Sequence, residues 1–93
     1  MTIYEKVFGN EHLITATSYN NIGSILFLQK DYAKALEYYL KALVVCEKIL
    51  GPNHNRTITT YENIANVYSE LKDDEKAQEY KQKALMGKQK DQQ

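Results

Sequence analysis

The amino-acid sequence predicts an all-α chain in which a pair of antiparallel helices occurs about twice. Three observations predict this fold class. When the chain is aligned with itself at an offset of 42 residues, 19 of the 51 residue pairs are identical. The composition favours helix, with one proline, four glycines and many Ala, Leu, Lys, Glu and Gln residues. Apolar residues also recur three and four positions apart, which is the spacing of one helix face.

The internal repeat is clearest in the segment from Tyr32 to Leu43, to which a more polar copy at residues 74–85 corresponds. The identities are spread over the whole unit, and a biased composition would not hold them in one register. We therefore interpret the chain as a little over two copies of one supersecondary unit. The matching pairs include Gly9/Gly51, His12/His54, Thr15/Thr57, Thr17/Thr59, Tyr19/Tyr61, Asn21/Asn63, Ile22/Ile64, Asp31/Asp73, Ala35/Ala77, Tyr38/Tyr80 and Ala42/Ala84.

The start of the chain reads as the end of a preceding helix. Residues 1–8 carry apolar side chains three and four apart, and Gly9 is expected to end that helix. The corresponding Gly51 is followed by Pro52, which can neither continue a helix nor let the preceding residue sit comfortably in one. Residues 9–12 and 51–54 are therefore predicted to be connecting loops.

The first full repeat is predicted at residues 13–50. Its first helix runs from about Leu13 to Gln29, and Lys30 and Asp31 make a tight turn in which Asp31 is expected to cap the next helix. That second helix, at about residues 32–50, is apolar over more than one face. We expect it to be buried on two sides.

The second repeat is predicted at residues 55–88, with helices at about 56–71 and 74–88 and a short tail at 89–93. Its last helix has lost the apolar residues that stand on the outer face of the corresponding helix in the first repeat. Polar or small residues replace them, namely Gln78, Lys81, Gln82 and Gly87. Such a helix is typical of the capping element that ends a solenoid. We expect a single domain or fragment, 1–93, from the C-terminal part of a longer array.

Charge and composition argue against several functional classes. The 12 acidic residues balance the 12 basic ones, so no basic stripe for nucleic acid is expected. No apolar run approaches the roughly 20 residues that span a bilayer, and the start lacks a signal-peptide core. The only cysteine, Cys46, fits a reducing compartment. The sequence thus predicts a cytoplasmic protein with neither membrane insertion nor nucleic-acid partners.

Small residues stand where two antiparallel helices would cross closely, at Gly23, Ala35, Ala42, Ala65, Ala77 and Ala84. With the segments Tyr19-x-x-Ile-Gly and Tyr61-x-x-Ile-Ala, this pattern resembles the tetratricopeptide repeat. The 42-residue period, the link from Leu50 to His54 and the segment Tyr19-Asn-Asn-Ile-Gly-Ser resemble the longer repeats of kinesin light chains. The resemblance implies a right-handed α-solenoid. Lys81 departs from the family pattern, which usually has an aromatic or apolar residue there.

The resemblance also implies that the first helix of each repeat lines a concave groove that holds a peptide. The nine favoured groove positions would be Thr17, Asn20, Asn21, Ser24 and Phe27 in the first repeat, and Thr59, Glu62, Asn63 and Asn66 in the second. Leu28 is an alternative to Phe27, and Ser69 and Glu70 are further candidates. Asn21 and Asn63 are the strongest candidates, since an amide can both donate to and accept from a peptide backbone. The alternative is that each Asn bonds a neighbouring helix. A carboxylate-binding clamp is disfavoured, because neither Lys nor Arg stands beside these asparagines in the sequence.

Other reactive residue types have simpler interpretations than a site. His12 and His54 are expected to cap helix starts rather than bind a metal, because the remaining ligands are missing. Cys46 is expected to be buried as a small hydrophobe, and the eight tyrosines to pack on helix stripes. Neither a phosphate-binding loop nor a Ser/His/Asp arrangement occurs, and we expect neither an enzyme nor a cofactor.

Two functional hypotheses remain open from the sequence. The first is a non-catalytic scaffold that binds a partner protein or peptide in the groove; similarity to kinesin light chains would add cargo-adaptor work. The second is an assembly element that docks or self-associates through its exposed repeat edges, including the apolar face of residues 1–8.

Overall fold

A computed structural model gives the architecture, and it describes the backbone of residues 2–91 and the side chains of residues 13–89. This part of the chain is all-α. It forms four helices, which are α1 (Thr2–Leu28), α2 (Tyr32–Ile49), α3 (Asn55–Glu70) and α4 (Asp74–Asp91). Helices α1 and α2 pack as one hairpin, α3 and α4 as a second, and α2 packs against α3 to join them. The solenoid of about two helical hairpins predicted from the sequence is confirmed.

The largest departure from the predicted helices is at the N-terminus. Helix α1 is continuous from Thr2, so the predicted helix end at Gly9 and the loop at 9–12 are wrong. Glycine costs a helix only about 1 kcal/mol relative to alanine, which does not by itself end the helix. In the second copy the chain does turn, because Gly51 has a φ of 85° and Pro52 follows it. In the first copy Asn10 occupies the position that corresponds to Pro52. The first copy therefore has no proline that would prevent the helix from continuing.

The turns within the two hairpins have the same backbone structure. Lys30 and Lys72 are left-handed, with φ of 67° and 66°. The next amide N–H reaches back to the last turn of the preceding helix, at 2.8 Å for Asp31 and 2.9 Å for Asp73. This pattern is the Schellman ending of a helix, here with lysine where glycine is usual. The predicted cap by Asp31 is wrong, since its side chain makes no capping bond, whereas Asp73 Oδ1 accepts from Lys76 N at 3.3 Å.

The hairpins close around small residues, as the sequence predicted. Gly23 and all five of the predicted alanines are buried. One core cluster joins α2, α3 and α4 through Ala35, Tyr39, Leu43, Ile58, Tyr61, Ile64, Val67 and Ala84, and a second contains Ala16, Ala42 and Cys46. Helix α2 contributes to both clusters and is buried on two sides.

A group of two tyrosines and a lysine recurs in both hairpins. The rings of Tyr19 and Tyr38 lie 5.8 Å apart, and Lys41 Nζ lies 5.2 Å from the centre of the Tyr38 ring. In the second hairpin the rings of Tyr61 and Tyr80 lie 6.2 Å apart, and Lys83 Nζ lies 5.2 Å from the Tyr80 ring. Each group ties the two helices of one hairpin together by ring packing and cation–π contact. These tyrosines are packing residues, as predicted.

Candidate functional site

Side chains from α1 and α3 bridge the two helices along one surface. Arg56 Nη1 donates a hydrogen bond to Thr17 Oγ1 at 2.5 Å, and Asn20 Nδ2 donates to Thr60 Oγ1 at 3.3 Å. Each bond joins the first helix of one hairpin to the first helix of the next. The two helices therefore form the walls of a shallow groove.

Two recesses lie in succession along this groove. The N-terminal recess has a volume of about 230 Å³ and is lined by Thr17, Asn20, Asn21, Asn55, Arg56 and Thr59. The C-terminal recess has a volume of about 240 Å³ and is lined by Ser24, Phe27, Leu28, Tyr39, Asn63 and Asn66. Eight of the nine residues favoured for the groove thus line one recess or the other, and Leu28 lines the second together with Phe27.

Several amides along the groove have unused hydrogen-bonding groups. Asn21 and Asn66 are exposed and Asn63 is half-buried. Within the part of the chain whose side chains are described, none of the three amides bonds another residue. The neighbouring-helix bonds that would make Asn21 and Asn63 packing residues are therefore not seen there. Each can donate and accept toward a ligand.

The amide nitrogen of Asn20 makes a hydrogen bond, whereas its amide oxygen has no partner among the described residues. Thr60 uses its hydroxyl proton on Arg56 O at 2.9 Å, so it must accept from Asn20 Nδ2. That bond leaves Asn20 Oδ1 buried with no donor among the described residues. A buried polar atom without a partner costs free energy, about 1–3 kcal/mol. Because this oxygen is buried, a ligand N–H in the N-terminal recess could reach it only after the Asn20 side chain turned.

Arg56 is the groove residue that the sequence reasoning missed. It is the only charged residue among those that line the two recesses. The expectation that no basic group stands beside the asparagines is wrong, because the first turn of α3 places Arg56 next to Asn20 and Asn21. Its helix spacing could have revealed it, since position 56 lies one turn before Thr59 on the same face of the helix.

Glu62, the ninth predicted residue, lies away from both recesses. It accepts a hydrogen bond from Lys88 Nζ at 2.7 Å and lines a separate hollow between α3 and α4, together with Lys81, Ala84, Leu85 and Lys88. The corresponding residues of the first hairpin include Tyr39, Ala42 and Cys46, which are buried. Glu62 therefore belongs to the outer surface of the last hairpin, where charged residues replace apolar ones.

The other candidate residues have structural surroundings. His54 caps α3, since its Nδ1 accepts from Arg56 N at 3.1 Å, as predicted. The side chain of His12 lies outside the described residues. Cys46 is buried, and burial raises the pKa of its thiol. Within the described residues, no group of three or more His, Cys, Asp or Glu side chains could hold a metal ion.

A comparison with protein families decides the identity of the repeat. The family model described as tetratricopeptide repeat matches residues 1–43 and 15–90, which together cover almost the whole chain. The chain belongs to the tetratricopeptide repeat family. Tetratricopeptide repeats are generally non-catalytic modules for protein–protein interaction. Comparison with curated proteins gives no match. The closer similarity to kinesin light chains stays a prediction.

None of the described helices combines the length and the apolar character that crossing a bilayer requires.

Proposed function

We propose that this tetratricopeptide repeat chain is a non-catalytic scaffold that binds a segment of a partner protein in the groove between α1 and α3. One observation carries the proposal. Asn21, Asn63 and Asn66 line the two successive recesses with amide groups that no described residue uses. A peptide backbone needs such paired donors and acceptors along its length.

The groove also favours a particular kind of segment. Arg56 supplies the one positive charge in the recesses, and Thr17 holds its guanidinium in place. The C-terminal recess adds Phe27 and Leu28, and Leu28 is 80% exposed. We therefore propose a segment with an acidic residue at the N-terminal recess and an apolar residue at the C-terminal recess. A guanidinium binds a carboxylate by charge-assisted hydrogen bonds.

A reducing, cytoplasmic setting is part of the proposal. Cys46 is the only cysteine in the sequence and is a buried free thiol. A thiol of this kind is compatible with the compartments that lack disulfide formation.

Selection of peptides and substitution of the groove amides test the proposal. Peptides would be selected from a random-sequence display library against the whole chain, and their affinity measured by calorimetry. The double variant Asn21→Ala/Asn63→Ala should weaken binding by about tenfold, because lost hydrogen bonds are worth about 1 kcal/mol each. The double variant Gln78→Ala/Gln82→Ala, which removes two exposed amides from α4, is the matched control. Equal affinity of both double variants and the wild type would refute the proposal.

A second candidate function is assembly through a repeat edge. The observation that favours it is the exposure of Ile22 and Ile25 on α1, at 38% and 55%, while the corresponding Ile64 and Val67 are fully buried. Glutamate at Val7 or Phe8 tests this function, since an assembly that uses the N-terminal edge should then dissociate while groove binding persists.

A further inference from the structure

One face of α1 is open although the same face of α3 is covered. The open α1 face consists of Thr15, Ser18, Tyr19, Ile22 and Ile25, of which Ser18, Ile22 and Ile25 are exposed and Thr15 and Tyr19 are half-buried. The corresponding residues of α3 are Thr57, Thr60, Tyr61, Ile64 and Val67, and each is at most 3% exposed. Since the two faces have similar sequences, the difference lies in what packs on them.

The C-terminal half of α2 helps to cover the face of α3. Leu43 belongs to the same buried cluster as Tyr61 and Ile64. Tyr61 donates a hydrogen bond to Glu47 Oε2 at 2.5 Å. Residues 43–50 therefore pack against the N-terminal half of the covered α3 face.

The sequence contains a second copy of that segment. Residues 1–8 correspond to 43–50, with Glu5 and Lys6 identical to Glu47 and Lys48. The receiving residues are repeated as well, because Tyr19 and Ile22 are identical to Tyr61 and Ile64. Both partners of the α2·α3 contact thus recur in the first copy. A segment with the sequence of residues 1–8 is the natural cover for the open α1 face.

The geometry of α1 prevents a chain from covering its own face. Helix α1 is continuous from Thr2 to Leu28, so Glu5 and Tyr19 lie on one helix. Fourteen residues of helix separate them by about 21 Å along its axis. By contrast, Glu47 and Tyr61 meet because the chain turns at Gly51. Because α1 has no turn between residues 2–8 and Tyr19, this segment can reach the α1 face only of another molecule.

We propose that two copies of the chain exchange these segments. Residues 2–8 of each copy cover the open α1 face of the other, and the two α1 helices lie antiparallel and cross near residue 12. In this register Glu5 of the first copy contacts Tyr19 of the second. Because the dimer has two-fold symmetry, Glu5 of the second copy also contacts Tyr19 of the first. The interface is self-complementary and closed, as exchange of an identical element requires. The inference rests on the second candidate function, assembly through a repeat edge, and is independent of the groove.

Disulfide trapping of the whole chain tests the exchange. Glu5→Cys and Tyr19→Cys would each be made in a Cys46→Ala background, and the two variants mixed and oxidised. The mixture should form a disulfide-linked dimer. Either variant alone should not, because a dimer of one variant holds one cysteine in each copy and the exchanged arrangement places these two cysteines far apart. Glu37→Cys, on the exposed side of α2, replaces Tyr19→Cys as the control and should not cross-link. Absence of the mixed dimer overturns the proposal.

A chain that carries both cysteines distinguishes exchange between two copies from folding of residues 2–8 back onto their own α1 face. If residues 2–8 return onto their own α1 face, the Glu5→Cys/Tyr19→Cys chain forms an internal disulfide at monomer mass, and the proposal is wrong.

Light scattering provides the second measurement. The wild type should be a dimer at high concentration and Ile22→Glu a monomer with unchanged helical circular dichroism. Met86→Glu, an exposed apolar residue of α4, should remain a dimer. A monomeric wild type up to millimolar concentration overturns the exchange.

Discussion

The ring of Tyr39 occupies the space that a β-carbon on Gly23 would need. An ideal β-carbon built at Gly23 would lie 2.8 Å from two carbons of that ring. Tyr39 is 3% exposed, and its hydroxyl lies 2.9 Å from Ser24 Oγ, so the ring is held from both ends. In the second copy Ala65 replaces Gly23 and Lys81 replaces Tyr39. The small residue and the ring are a matched pair in the first hairpin.

Gly23→Ala should destabilise the fold. Alanine gains about 1 kcal/mol of helix propensity, but the methyl group must displace a buried ring, and overpacking costs about 1–3 kcal/mol. We expect a net loss in the free energy of unfolding, measured by urea denaturation. Combining the substitution with Tyr39→Leu should cost less than the sum of the two single changes. A Gly23→Ala chain more stable than the wild type would contradict the packing described here.

Lys30→Gly and Lys72→Gly should stabilise the chain. Both lysines have left-handed backbone, which strains an L-residue but not glycine. Glycine also loses more conformational entropy on folding, so we expect a net gain of about 0.5 kcal/mol per site. The measurement is the thermal midpoint by circular dichroism. Lys34→Gly, within α2, is the control and should lower the midpoint. A lower midpoint for Lys30→Gly would show that its side chain stabilises the turn.

The hydrogen bond between Tyr61 and Glu47 should make stability depend on alkaline pH. Burial, followed by this bond and the charge of Glu47, raises the pKa of Tyr61 well above its ordinary 10.0. The folded state therefore keeps a proton that the unfolded state loses, so this stabilisation is complete below pH 10 and is lost as pH rises above it. Tyr61→Phe should flatten the fall in unfolding free energy above pH 10. Tyr38→Phe is the control, and an equal slope in Tyr61→Phe and wild type would refute the assignment.

Arg56 should select acidic peptides. Arg56→Gln should reduce affinity for a selected peptide with one acidic residue by about tenfold, in line with a charge-assisted bond of 1.5–3 kcal/mol. Affinity of the wild type should also fall with salt, since the site is exposed and screened. Exposed Lys34→Gln leaves the groove unchanged and is the control. If Arg56→Gln binds acidic and neutral peptides as the wild type does, Arg56 makes no contact with the ligand.

Local sequence signals predicted most of the fold because most helices and turns are marked twice, once in each copy of the repeat. The helix ends near residues 28, 49 and 70 are marked by Gly51, Pro52 and the two Lys-Asp turns. Gly9 failed as a marker, because glycine permits a turn without requiring one. Gly87 appeared to be a decayed position, yet a β-carbon there would lie 2.7 Å from Pro52 O. A close backbone approach of this kind depends on tertiary packing and leaves no local signal.

The candidate groove was only partly readable from the sequence. Asn21 and Asn63 were accessible to reasoning because they repeat and lie on one helix face. Arg56 does not repeat, since Ile14 holds its place in the first copy, and its position beside Asn21 arises from the packing of two helices. Glu62 and Asn20 occupy the same position of the repeat. Asn20 contacts Thr60 of the next hairpin, whereas Glu62 lies on the outer surface of the second hairpin. Position within an array, which a repeat pattern does not encode, decides its surroundings.

The most direct test of the groove is nuclear magnetic resonance of the isotope-labelled chain with a selected peptide. Backbone and side-chain amide shifts would be followed during titration. We expect the largest changes at Asn20, Asn21, Arg56, Asn63 and Asn66, and little change at the Tyr38 and Lys41 group or at Gln78 and Gln82. Changes concentrated on α4 or on the tyrosine groups, with the groove amides unaffected, would contradict the proposal that α1 and α3 form the binding surface.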